Sequence, residues 1–315
     1  MNSVTLSVVI PVYNEGEGLH MLTARLTPAL EALGVSWEVI LVDDHSTDTS
    51  PDVLRQICAA NPGFRFYRLS ANSGSHVAIL AGLEHCHGEC AVFLAADLQD
   101  PPELLEKMLN LWRQGHQTVW AVRCGREGIS IVDRAVSRSF YALLRMSGVS
   151  VPPDGSDFAL IDRRVINGLS RCVGANPSLF LEIARIGYKQ FELPYVKQAR
   201  HFGVTKWNLK KKLKAFADAF VAFSYAPMRM MSYLGLASSA LGFLYAAYIL
   251  FMRLFIQQTI PGFASLMVAV LGIGGVQMIM LGVLGEYLWR TLDEARHRPN
   301  YFIEDSSVPD VKERP

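Results

Sequence analysis

Two stretches limit what this chain can fold into more than any other feature. Residues 230–252, MMSYLGLASSALGFLYAAYILFM, carry no formal charge over 23 positions. Residues 254–285 carry none over 32, interrupted near the start by QQT and by Pro261-Gly262. A helix needs about 20 predominantly apolar residues to cross a bilayer core. Helices of water-soluble domains rarely stay uncharged this long, so two membrane spans joined by a short turn are expected rather than a buried core hairpin. Gly235, Ala237, Ser238, Ser239, Ala240 and Gly242 on the first run, and Gly272, Gly274, Gly275 and Gly282 on the second, would permit close helix contact, including between copies in a homo-oligomer. Lys206, Lys210, Lys211, Lys212, Lys214 and Arg229 precede the first run, and Arg290, Arg296 and Arg298 follow the second, with only Arg253 between them. The excess of basic residues at both outer ends places both termini in the cytoplasm, on a multi-pass protein of the inner (plasma) membrane.

The rest of the chain is of another kind. Its 30 basic and 29 acidic residues leave a net charge of +1, which is not the electrostatic footprint of a nucleic-acid binder. Five cysteines, an odd number, suit a reducing compartment. HCHGEC at 85–90 holds metal-ligand types, but at no standard spacing and with no second ligand pair, so ordinary helix-end and strand residues are expected there. With the strand-like TLSVVIPVY at the start, no signal peptide is expected ahead of it.

Between residues 5 and 125, LSVVIP, WEVILV, FRFYRL, CAVFLA and TVWAV are continuous apolar runs without the alternation of a half-exposed sheet. Helical patterns over 17–33, 51–60, 76–86 and 102–114 separate them. This alternation predicts an α/β fold with a mostly parallel sheet covered by helices on both faces. Ligands of such sheets bind beyond the carboxyl ends of the strands. Polar residues gather there: PVYNEGEG after the first strand, Asp43-Asp44-His45-Ser46 after the second, Asn72-Ser73-Gly74 after the third, Asp97 to Asp100 after the fourth and Arg123 after the fifth. Asp97 and Gln99 offer hard oxygen ligands that suit Mg²⁺ or Mn²⁺ bridging substrate phosphates. Asp100, followed by Pro101 and by Glu103 three positions on, has the pattern of a helix N-cap, a role that competes with metal binding.

Residues 126–200 are less regular, with a basic helix around Arg134 and Arg138, a VPPDGSDF turn and a strand-like QFELPYV. Trp207, Leu209, Leu213, Phe216, Phe220 and Phe223 recur near helical spacing among lysines, which suits a helix lying in the membrane interface. The expected organisation is residues 1–200, a basic loop with interface helices over 201–230, a two-helix hairpin over 231–286 and a tail over 287–315, loose after about residue 305.

SVVIPVYNEGEGL, ILVDDHSTDTS, NSGSHVAILAGL, AADLQDPPELL, SDFALIDRRV and RHFGVTKWNL, in this order and ahead of two spans, resemble a family 2 glycosyltransferase of the GT-A fold. Within it the likeness is to polyprenyl-phosphate glycosyltransferases, the group of dolichol-phosphate mannose synthase and undecaprenyl-phosphate glucosyltransferases. The resemblance implies that Pro11, Tyr13 and Glu15 hold the base and ribose of a nucleotide sugar, and that Asp43 and Asp44 contact the nucleoside. It places Asn72 and Gly74 at a turn whose N–H groups face donor phosphates or serve as an ordinary cap. Asp97 and Gln99 would hold the metal, although Ala95 stands where the family pattern has a first aspartate. Asp157 would be the catalytic or acceptor-positioning carboxylate, Arg123 would face the phosphates, and Arg200 and Lys206 would grip a pyrophosphate, the acceptor's phosphate or lipid headgroups.

The implied reaction is inverting transfer of a single sugar, from a UDP-sugar rather than a GDP-sugar by analogy, to polyprenyl phosphate at the cytoplasmic face. A phosphate monoester is mostly dianionic at neutral pH, with a second pKa of about 6, and needs no general base. Asp157 would then orient cations; with a hydroxyl acceptor it would be the base. Another membrane lipid acceptor, or a non-catalytic nucleotide-sugar-binding subunit suggested by Ala95, are the alternatives.

Overall fold

The computed structural model describes residues 4–124, 157–172, 179–197, 226–252, 255, 262–296 and 298–308. They divide between two compact units, one taking in the chain up to residue 212 together with residues 298 onward, the other residues 213–297.

The first unit is built on eight described strands: β1 (Leu6–Val12), β2 (Trp37–Asp43), β3 (Phe64–Leu69), β4 (Cys90–Phe93), β5 (Thr118–Arg123), β6 (Ala159–Asp162), β7 (Gln190–Tyr195) and β8 (Ile303–Ser306). They form one sheet in the order β7-β5-β6-β4-β1-β2-β3-β8. The pairs β1·β2, β2·β3, β1·β4 and β5·β7 are parallel. β6 runs antiparallel between β4 and β5, and β8 antiparallel to β3. The apolar runs become strands because both faces are covered: Leu6, Val8, Val9, Ile10 and Val12 of β1 have no exposed surface. Each such side chain contributes roughly 1.5–3 kcal/mol relative to exposure.

Helices α1 (Leu19–Glu31), α2 (Ser50–Ala60), α3 (Ser75–Glu84) and α4 (Leu104–Arg113) follow the first four strands, and α5 (Arg163–Cys172) and α6 (Leu179–Ile186) precede β7. In α1 the buried residues are Leu19, Leu22, Leu26 and Leu30, a single stripe at helical spacing. α3 has no polar stripe in its middle, and Ala78 to Leu83 are all buried. It lies so close to the sheet that a Cβ on Gly82 would stand 2.3 Å from Val9 Cγ1, which only glycine avoids.

Two features depart from the expected parallel arrangement. The fifth apolar run does not lie beside the fourth, because ALID of SDFALIDRRV enters between them as β6. The C-terminal residues are not a loose tail as far as residue 308: IEDS joins the sheet edge as β8, with Tyr67 opposite Ser306 and Arg68 opposite Asp305.

The second unit contains α7 (Ala226–Phe251) and α8 (Phe263–Ala295). Among the described residues one stretch, Met231–Ile249 of α7, is long and apolar enough to cross a membrane. Gly235 faces α8, where its Cβ would meet Met280 Cε at 3.3 Å. At Gly242, Gly272, Gly274, Gly275 and Gly282, expected at helix contacts, no atom beyond the local helix backbone lies within 4 Å of a Cβ position among the described residues. The interface-helix residues 207–223 lie outside the described residues.

Candidate functional site

Strands β1 to β5 and β7 run in one direction, so Val12, Asp43, Leu69, Phe93, Arg123 and Tyr195 all end at one edge. Antiparallel β6 begins there, which brings Asp157 to the same edge. The polar side chains on it form three groups.

The first group joins the loops after β1, β2 and β3. Pro11, opposite Val42 in the β1–β2 register, and Tyr13 are partly buried at the end of β1. Asp43 is fully buried; its Oδ1 accepts the Ser46 N–H at 3.0 Å and its Oδ2 the Arg68 guanidinium at 2.8 Å. Ser46 Oγ in turn accepts the Asn14 N–H at 2.9 Å, and Asn14, itself left-handed with φ 52°, accepts the Thr47 N–H at 2.8 Å. The Glu15 N–H reaches Ser50 Oγ at 3.0 Å and the Gly16 N–H reaches Asp48 at 3.2 Å. A Cβ on Gly16 would collide with Thr49 Oγ1 at 2.6 Å. The two loops are therefore stitched together, and Tyr13 and Glu15 are held on that seam.

Asp44 does different work. Its carboxylate accepts the Ser73 N–H at 2.7 Å and the Gly74 N–H at 2.9 Å, while its carbonyl accepts from Asn72 Nδ2 at 3.3 Å. The N–H groups of the Asn72–Gly74 turn expected to face phosphates are thus taken up at Ser73 and Gly74 by an aspartate. Gly74, at φ 91°, supplies the backbone shape this clamp requires. Burial pushes the Asp44 carboxyl up, against the two N–H bonds that favour its charged form.

The second group is Asp97 and Gln99. Asp97 Oδ1 accepts the Gln99 N–H at 3.2 Å across Leu98, which is left-handed at φ 57°. This turn sets a carboxylate and an amide side chain one residue apart at the strand end. Among the described residues no group of three or more His, Cys, Asp or Glu could hold a metal ion, and Ala95 adds no side-chain oxygen. The pair fits a hard cation whose shell is completed by ligand phosphates and water, the usual manner of Mg²⁺, and does not fit a closed protein cage.

The third group was only half legible in the sequence. Arg123, at the end of β5, donates through Nη2 to both oxygens of Asp157. Lys197, two residues past β7, stands 3.7 Å from Asp157 Oδ2 and 3.7 Å from Asp100 Oδ1. Tyr195 Oη donates to Asp100 Oδ1 at 2.6 Å. Asp100 is therefore not the cap of α4, whose N-cap position is Glu103; it is a buried acid 1% exposed, turned toward Tyr195 and Lys197. Asp100 Oδ2 and Arg123 Nε are buried without a hydrogen-bond partner among the described residues. Burial, then the nearby Asp157, pushes the Asp100 carboxyl above its ordinary range. For Asp157 burial acts the same way, but Arg123 and then Lys197 more than offset it and hold the carboxyl below that range. Arg200 and Lys206 lie outside the described residues. Lys197 lies just beyond the end of a strand, as Arg123 lies at one, but the pairing that puts it beside Asp157 is not written in LPYVK.

The raised Asp100 gives a signed expectation. A carboxyl that binds its proton more tightly in the folded state stabilises the fold fully below its unfolded value, 3.8, and loses that contribution as pH rises through the folded value. Asp100→Asn keeps an acceptor for Tyr195 and removes the titration. Its Tm relative to the parent should therefore climb as pH is raised from 4 to 8; a difference that shrinks over this range would show that Lys197 dominates the environment of Asp100.

Matches with known proteins extend along the chain. The Glycosyl transferase family 2 model matches residues 7–169, and the GtrB C-terminal hairpin model matches residues 226–290. An uncharacterized glycosyltransferase of Bacillus subtilis (strain 168), YkcC, is 37% identical over 96% of this chain and 94% of its own. An undecaprenyl-phosphate 4-deoxy-4-formamido-L-arabinose transferase of Edwardsiella ictaluri (strain 93-146) is 32% identical over 95% of this chain and 93% of its own. A bactoprenol glucosyl transferase of Shigella phage SfV is 29% identical over 95% and 98%.

Proposed function

Since the chain belongs to glycosyl transferase family 2, in the group of polyprenyl-phosphate glycosyltransferases, we propose that it moves one sugar from a nucleotide-diphosphate sugar onto polyprenyl phosphate. The observation that carries this reading is the end-to-end likeness to transferases named for bactoprenol and undecaprenyl phosphate, hairpin included.

In this reading the seam carrying Tyr13 and Glu15, with Asp44 beside it and Asp43 beneath, receives the nucleoside. Asp97 and Gln99 would hold Mg²⁺ or Mn²⁺ together with the donor's pyrophosphate. When bound, the cation supplies Lewis-acid neutralisation of the diphosphate's charge. An acceptor phosphate oxygen forms the new bond to the anomeric carbon while the bond from that carbon to the donor's β-phosphate oxygen breaks, inverting the centre and releasing the nucleoside diphosphate. Arg123 and Lys197 lie where two anions meet and offset their mutual repulsion. Asp157, held ionised between them, fixes the direction of both cations and is a poor proton acceptor at neutral pH. A lipid phosphate already dianionic above about pH 6 asks for none. Arg200 and Lys206 are assigned to the same phosphates by resemblance.

The hairpin reading draws support from connectivity. The chain leaves the sheet-bearing unit before residue 213 and re-enters it at 298, contributing β8 to the sheet that β1 began. Both ends of the intervening segment therefore lie on one side of any membrane, and two helices such as α7 and α8 cross it twice or not at all. Together with the basic residues at those ends, this supports a two-span plasma-membrane protein with the sheet-bearing unit in the cytoplasm.

The test uses purified full-length protein in detergent with a panel of UDP- and GDP-sugars, short-chain polyprenyl phosphate and Mg²⁺ or Mn²⁺. A lipid product carrying one sugar, identified by mass, is expected from one donor, with UDP-sugars tried first. Nucleotide binding without transfer, or transfer only to a lipid lacking the phosphate, would overturn the reading.

A further inference from the structure

Arg68 occupies a position that the transfer chemistry above does not use. It lies near the end of β3, its side chain 16% exposed, and joins the loop after β2 to the C-terminal strand through three contacts. Nη1 donates to the fully buried Asp43 at 2.8 Å, Nη2 to the Ser46 carbonyl at 3.2 Å and Nε to Glu304 of β8 at 2.9 Å. Glu304 also stands 3.5 Å from His45 Nδ1. Asp43 and Ser46 shape the loop after β2, and Ser46 Oγ holds the backbone of Asn14 between Tyr13 and Glu15. A continuous polar chain thus runs from the C-terminal strand through Arg68 into both loops that frame the first group of site residues.

β8 is held firmly enough to act through such a chain. The Ser70 N–H reaches the Phe302 carbonyl at 2.9 Å and the Ser307 N–H the Phe66 carbonyl at 3.0 Å. Asp305 pairs with Arg55 at 2.9 Å, and Tyr301 Oη donates to Glu84 at 2.5 Å. A carboxylate buried as completely as Asp43 is costly to leave without a partner, and its Oδ2 is met by a cation. Arg68 is that cation, and its outward face is fixed by Glu304.

We propose that the C-terminal strand is a working part of the nucleoside subsite, and that Arg68 is the positioning residue through which it acts. The inference rests on the reading that this edge binds a nucleotide. Removing the Glu304 charge loosens the guanidinium; removing the guanidinium lets Asp43 and the Ser46 loop shift, and with them the backbone that presents Tyr13 and Glu15. The affected quantity is affinity for the nucleotide donor, not handling of the lipid acceptor, whose cations Arg123 and Lys197 lie on β5 and past β7.

The test compares full-length Arg68→Lys, Arg68→Gln and Glu304→Gln with the parent by titration with UDP and GDP, by KM for donor and acceptor separately, and by Tm. Arg68→Gln should weaken nucleotide affinity and raise donor KM about tenfold or more, with acceptor KM within about twofold. Arg68→Lys should recover part of the loss, and Glu304→Gln should show about a two- to threefold effect of the same kind. Should Arg68→Gln fail to fold, the other two variants decide. A fall in Tm with unchanged nucleotide affinity in both, or donor and acceptor KM rising together, would overturn the inference and reduce Arg68 to a structural ion pair. A parent protein that binds neither nucleotide and transfers nothing fails the functional reading itself; transfer by the parent with unaffected variants fails only this inference.

Discussion

Arg123→Gln is expected to lower kcat/KM for sugar transfer by about 10²–10³-fold, most of it in kcat. Among the described residues its guanidinium donates to both oxygens of Asp157, and it stands at the strand end where, in the proposed reaction, the acceptor's dianion approaches a departing diphosphate. Its loss removes positive charge where negative charge accumulates and frees Asp157 to repel the acceptor. Asp157→Asn separates this from base catalysis. Because Arg123 and Lys197 outweigh burial and hold the Asp157 carboxyl below its ordinary value, it is ionised across the working range and contributes no limb near neutrality. The rising limb of the pH profile, near the second phosphate ionisation at about 6, belongs to the acceptor. Asp157→Asn should therefore lower the height of the profile and keep the limb. Disappearance of the limb in that variant would make Asp157 the base.

Asp97→Ala is expected to reduce transfer by about 10³-fold or more and to abolish any difference between assays with Mn²⁺ and with EDTA. With Ala95 in place of a further carboxylate, a cation would have to be shared between Asp97, Gln99 and the donor's phosphates. Mn²⁺ should then be retained by the parent protein only when a nucleoside diphosphate is present, which electron paramagnetic resonance of free Mn²⁺ can follow. Full parent activity in EDTA would sink this assignment and leave Arg123 and Lys197 as the cations that carry the leaving group.

The edge rule, that polar residues after parallel strands mark the site, located Asp43, Asp44, Asn72, Asp97 and Arg123, but it did not distinguish their work. Asp43 and Asp44 are adjacent and chemically identical, yet one is buried under Arg68 and Ser46 and the other clamps the Ser73–Gly74 turn. DDHS itself supplies only the Ser46 N–H to Asp43; the partners that set the two apart, Arg68 and the Ser73–Gly74 turn, come from another strand and another loop. Asp100 misled for a related reason. Its local pattern, with prolines and Glu103 after it, is that of a cap, but the tertiary environment turned the carboxylate toward Tyr195 and Lys197, 95 and 97 positions away in sequence.

Local periodicity and burial on both faces determined the first five strands and the helices between them, since continuous apolar runs have no other stable use in a sheet covered on two sides. The absence of charge over 230–252 and 254–285 marked the two long helices α7 and α8, and Met231–Ile249 of α7 is long and apolar enough to cross a bilayer. What only the tertiary structure decided is everything that depends on pairing between distant segments. β6 enters between β4 and β5, Lys197 meets Asp157, and the chain returns 236 residues after Arg68 to place Glu304 against it. Sheet edges accept any strand of suitable shape, so which strand fills an edge is settled by the packing of the whole unit and not by the residues of either strand alone.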